Sequence, residues 1–120
     1  MVSELKEGHV FYRWTDAEPE QHFHVIIKRL LNGTYITVNF SSVREGYDYD
    51  DTCVMGPEDE PWLRNLSYIR YKDCRNVKSA DLARWTQGEL RTVQPHNLAR
   101  IAQGVFKSPQ TEGWVKRLLS

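Results

Sequence analysis

The chain has 120 residues, 40% hydrophobic, 12% aromatic and 27% charged, with a formal net charge of zero. Those figures exclude a disordered chain and fit one domain, 1–120, with a modest core. No apolar stretch approaches the roughly 20 residues of a membrane span and MVSELKEGHV holds no apolar signal core, so a cytosolic protein with no membrane partner is expected.

In chain order, GHVFYRW (Gly8–Trp14) predicts a short aromatic strand, followed by a polar loop, TDAEPEQ. Next comes HFHVIIKRL, the dipeptide Asn32-Gly33, and TYITVNFSS. β-branched and aromatic residues on either side of Asn-Gly predict a hairpin with a two-residue type I′ turn. That turn sets Leu31 opposite Thr34, Val25 opposite Phe40 and Ile27 opposite Val38, an apolar face shared with Phe23. The other face sets His24 opposite Ser41, Ile26 opposite Asn39 and Lys28 opposite Thr37, with His22 beside His24. A half-buried hairpin with one polar face is the expectation.

SVREGYDYDD then reads as an acidic turn, DTCVMG as a short strand and PEDEPWL as a proline-bounded loop. SYIRYKD (Ser67–Asp73) is a further strand. From Ser79 the pattern turns helical. Ser79 reads as an N-cap with Asp81, Leu82 and Trp85 following, and this helix is expected to end near Gly88. Pro95 starts a second helix carrying Leu98, Ile101 and Val105, with Gly104 as its C-cap. Ser108-Pro109 starts a third, with Trp114, Val115, Leu118 and Leu119. Strands first and helices last predict an α+β, mainly β fold: a small, strongly curved antiparallel sheet over 1–78, with a helical C-terminal part over 79–120 and a short strand near 90–93. Cys53 and Cys74 lack metal or redox spacing and read as buried thiols.

Three stretches resemble the start of the PemK/MazF-like toxin family: Gly8-His9-Val10-Phe11-Tyr12, His22-Phe23-His24-Val25-Ile26-Ile27, and Thr37-Val38-Asn39-Phe40-Ser41-Ser42. Leu90-Arg91-Thr92-Val93 resembles that family's late strand before its last helices. The resemblance implies an SH3-like barrel that often dimerises, metal-independent RNA cleavage, and an antitoxin protein as partner. It sets His22 at the position of the family's catalytic arginine and Ser41 or Ser42 at that of its hydroxyl residue. His9 stands in place of the early aspartate, and the Arg-Pro pair is absent.

The residues themselves offer several constellations. His22, His24 and Ser41 form the candidate catalytic set, because imidazoles with an ordinary pKa of about 6.5 can take and return a proton near neutrality. The alternative is that His24 only hydrogen-bonds Ser41 on a solvated sheet face. Adding His9 would give three imidazoles, but no ligand spacing supports a metal, and no cofactor is expected. The acidic run Asp48–Asp51 fails as an EF-hand, since Cys53 and Asp59 stand where Gly and Glu are required.

Charge is uneven along the chain: residues 1–60 hold 5 Lys/Arg against 12 Asp/Glu, and residues 61–120 hold 11 against 4. Either the halves pack together, or the basic half meets an anionic partner. Arg64, Tyr68, Arg70, Lys72 and Arg75 mix cations with rings as single-stranded RNA binding requires, though a solvated outer face would look the same. Two function classes follow: an RNA-cleaving toxin, or a non-catalytic module binding nucleic acid or protein. Trp14, Trp62, Trp85 and Trp114 read as core or interface anchors, and a structural module built on them is a third reading.

Overall fold

The computed structural model describes residues 5–15, 18–86 and 91–120, and their side chains apart from those of 13–15 and 18–21. The expected helix end at Gly88, Leu90 and the Trp14 ring lie outside the described residues. The elements are β1 (His9–Thr15), β2 (Glu18–Arg29), β3 (Thr34–Ser42), β4 (Val54–Met55), β5 (Ser67–Lys78), α1 (Ser79–Trp85), β6 (Arg91–Thr92), α2 (Pro95–Lys107) and α3 (Gly113–Leu119). The strands form one antiparallel sheet in the order β4-β5-β3-β2-β1-β6, curled into a half-barrel. The fold is therefore mainly β, strongly curved, with its helices at the C-terminal end, as the strand-then-helix pattern predicts. β2 begins at Glu18, so strand occupies part of the expected Thr15–Gln21 loop.

The hairpin register differs from the two-residue reading. Leu30 N–H donates to Thr34 O at 2.8 Å and Gly33 N–H to Leu30 O at 3.1 Å, which makes Leu31-Asn32-Gly33 a three-residue loop. Gly33 has φ +83°, while no described non-glycine residue has positive φ. A type I′ turn needs positive φ at both central residues, so Asn32 rules it out. The Asn32 carboxamide oxygen instead accepts from Thr34 N–H at 3.0 Å and Thr34 Oγ1–H at 2.7 Å, an Asx-type closure. A bulge between Ile26 and Lys28 adds a second one-residue shift, so His24 stands opposite Asn39 and Val25 opposite Val38. Two shifts restore the parity of the faces. Up to Ile26 the partners moved and the sides did not; Lys28, expected opposite Thr37, pairs with Ile36 of the other face because the bulge intervenes.

Both faces of the sheet are covered. On one, Val10, Val25, Ile36, Val38, Phe40, Ile69 and Tyr71 pack with Ile101 and Val105 of α2 and Val115 of α3. On the other, Leu5, Phe11, Ile26, Tyr35 and Val77 pack with Leu82 of α1, and Trp85 lies against them. The face expected to be polar is thus a second core. α1 has seven residues, too few to hold as an isolated helix, and Leu82 at 0% exposure contributes on the order of 2 kcal/mol to docking it.

Three helix boundaries also differ from the sequence reading. Lys78, not Ser79, is the N-cap of α1, with no side-chain cap bond. α3 begins at Gly113, and Ser108 instead caps the end of α2. Gly104 is interior to α2: a Cβ there would lie 1.9 Å from Tyr71 Oη, while the Tyr71 hydroxyl donates to Ile101 O at 2.8 Å. Close approach of helix to ring, not helix termination, requires the glycine.

Candidate functional site

The three candidate catalytic residues sit in different surroundings. His24 is 3% exposed and stacks on Phe11, with ring centroids 5.2 Å apart and planes 11° from parallel. Ser41 is buried and pairs with Tyr68 across to β5. His22 is half-buried; its Nδ1 lies 3.1 Å from Phe40 O and, since a carbonyl only accepts, must donate there. Its Nε2 is buried. His9, at the start of β1, accepts from Lys6 N–H at 3.1 Å through Nδ1. Burial, then the nearby Lys6 charge, lowers its pKa. Among the described residues no three His, Cys, Asp or Glu side chains cluster as metal ligands.

His22 does line a cleft of about 530 Å³, together with Ser42, Ser67, Arg64, Arg91 and five aromatic rings. Strand pairing builds the aromatic wall. Tyr12 and Phe23 are directly opposed on β1 and β2, with centroids 4.6 Å apart. Phe23 meets Trp62 edge-on at 4.9 Å, and Trp62 meets Phe40 at 5.4 Å. The Arg91 guanidinium sits 5.7 Å over the Phe23 ring, a cation–π arrangement. Rings run from the core outward, ending at Tyr12, which is 54% exposed. No carboxylate is among the described lining residues.

The opposite wall is the Pro61–Asn65 loop, tied down by Glu60. This carboxylate is 2% exposed and accepts from Trp62 Nε1–H at 3.2 Å, Gln94 N–H at 3.0 Å and Asn97 Nδ2–H at 2.6 Å. Asn97 also donates to Asp59 O at 3.1 Å. Gln94 is the N-cap of α2 and Pro95 opens the helix, so the acid sits at the positive end of the helix dipole. A buried acid is tolerable only with such partners.

The expected RNA-contacting residues divide. Arg64 lines the aromatic cleft. Tyr68, Arg70 and Lys72 line a second cleft, of about 430 Å³, shared with Asp48, Asp50 and Asp51. There Tyr68 meets Tyr49 at 5.3 Å with the ring planes tilted by 35°, and Arg70 pairs with Asp73 at 3.2 Å. Arg75 lies further along β5, opposite Thr37. Mixed charge makes the second cleft a poorer anion site than the first. The halves of the sequence do meet: Arg100 lies 3.5 Å from Asp59 and donates to Val54 O, and Ser108 Oγ–H donates to Asp50.

Both cysteines are free and buried. Burial raises the Cys53 thiol, and burial followed by Asp73 pushes Cys74 up to about 12. Burial raises the Tyr71 phenol too, with Cys53 adding to it. None of these is a poised nucleophile.

Sequence reasoning missed Arg91, Tyr12 and Phe23 as cleft residues, and Glu60 as the anchor. The signals were present: alternation places Tyr12 and Phe23 on one face, and Glu60 directly precedes Pro61-Trp62. No protein-family model, curated protein or solved structure matches the chain.

Proposed function

We propose that this chain binds single-stranded RNA in the cleft between β2 and the Pro61–Asn65 loop. One observation carries the reading: aromatic rings and two guanidinium groups share a cleft with no carboxylate among its described lining residues. Rings on a sheet stack unpaired bases, each worth about 1–3 kcal/mol. Guanidinium forks grip phosphates, and bases can reach rings only where the strand is unpaired. Anisotropy of a fluorescent oligoribonucleotide, measured across a salt series, tests it. Neutralising one phosphate per arginine predicts a slope of log K against log salt of about −0.7 per contact. No binding, or binding indifferent to Arg64→Ala and Arg91→Ala, overturns it.

Cleavage in the same cleft is the second reading, favoured by His22 and Ser42 lying beside Arg64 and Arg91. It accords with the toxin resemblance and adds an antitoxin and a homodimer as partners. Against it stands the imidazole: one nitrogen donates to Phe40 O and the other is buried. Fragments from incubated RNA, lost in His22→Ala, would establish cleavage; intact RNA leaves the binding module.

A further inference from the structure

We infer that Glu60 fixes Trp62 as a stacking platform whose indole N–H is withheld from the ligand, so that this cleft takes a nucleobase by its π-face without reading which base it is. The inference rests on the RNA reading above and adds how the site discriminates. An ionised carboxylate only accepts, and Glu60 accepts from three donors of three kinds: an indole, a backbone amide and a carboxamide. Two of these come from the start of α2 and one from the cleft wall. The acid therefore fixes the Trp62 ring relative to a 13-residue helix, α2.

The consequence is chemical. Tryptophan has one polar group, its Nε1–H, and here Glu60 already holds it. Beyond that group Trp62 presents only its ring, with the Phe23 and Phe40 planes at 64° and 89° to it. Every base has a π-face, so such a platform orders ligands by stacking area, purines above pyrimidines, and not by hydrogen-bond pattern. Glu60 is a positioning residue: it touches no ligand and acts through Trp62.

The test uses the full wild-type chain, labelled with nitrogen-15 and titrated separately with oligoadenylate, oligouridylate and oligocytidylate. The Trp62 indole N–H is expected to keep its chemical shift and slow solvent exchange, while the ring protons move. Affinities are expected within about tenfold of one another, with oligoadenylate tightest. An indole N–H that moves on binding, or a preference of more than about a hundredfold for one oligomer, overturns the inference while leaving RNA binding intact. No binding to any oligomer sinks the RNA reading itself, and this inference with it. Glu60→Gln offers a second measure, since its amide would turn a donor toward at least one of the three donors it now satisfies. Binding about tenfold weaker with a shifted Trp62 indole resonance is expected, as losing one charged hydrogen bond implies. Wild-type affinity with an unshifted indole resonance in that variant overturns the positioning role. Should it not fold, the wild-type titration decides alone.

Discussion

Asn97 Nδ2 lies 2.6 Å from Glu60 Oε2, with the two side chains 0% and 2% exposed. The two residues stand 37 apart in sequence, so this contact joins the cleft wall to α2 across the chain. Asn97→Ala would leave a buried carboxylate short of a donor. A loss of about 2–4 kcal/mol is expected in urea unfolding, well beyond a surface substitution. A midpoint unmoved in Asn97→Ala would mean that solvent already satisfies the acid.

Gly104→Ala should destabilise, against the ordinary rule that alanine favours helix interiors by about 1 kcal/mol. The added methyl would meet Tyr71 Oη at 1.9 Å and Tyr71 Cζ at 2.5 Å. Overpacking of this kind costs about 1–3 kcal/mol. Tyr71→Phe removes the nearer atom, so the double variant should be less unstable than the sum of the singles. A thermal-melt cycle checks that; strict additivity would deny the contact.

Arginines should report which cleft holds RNA. Arg64→Ala and Arg91→Ala are each expected to weaken binding and flatten the salt dependence by about 0.7. Lys72→Ala, in the second cleft among aspartates, should do neither. The reverse ranking would move the interface to β5.

The two histidines should separate stability from ligand chemistry. His24→Ala empties a site stacked against Phe11 and should cost about 2 kcal/mol or more in denaturant. His22→Ala loses one bond to Phe40 O and should cost about 1 kcal/mol. Under the binding reading His22→Ala leaves RNA intact as in wild type; under the cleavage reading it abolishes fragments.

Alkaline pH should unfold the chain earlier than its charge suggests. The folded Cys74 thiol titrates at about 12 against an ordinary 9.0, so between those values the unfolded state alone gives up the proton. Stability is complete below pH 9 and falls as pH rises, by up to about 1.4 kcal/mol per unit for this thiol. Burial moves Cys53 and Tyr71 in the same direction, steepening the loss. Stability flat from pH 9 to 11, or native-state labelling of both thiols at pH 8, would contradict this.

Local signals carried most of the fold. β3 was legible residue for residue because TYITVNFSS is β-branched, aromatic and bounded by Gly33. The proline at the start of α2 was equally legible. What failed was non-local. Nothing near Ile26 or Tyr35 says that α1 will cover their face, since the cover comes from Leu82 and Trp85. Gly104 looked like a stop signal because its reason, the Tyr71 hydroxyl, is 33 residues away. The cleft was half legible: His22 and Arg64 were singled out, but their convergence with Arg91 depends on β6 joining β1.

The tether at Glu60 has a bearing on how such a chain can diversify. The 61–65 segment is gripped from α2 through Glu60 and Asp59, and its exposed Pro61, Arg64 and Asn65 stand outside the packed interior that holds Trp62 and Leu63. New ligand preferences can be written at those exposed positions while both halves of the hydrophobic interior stay as they are.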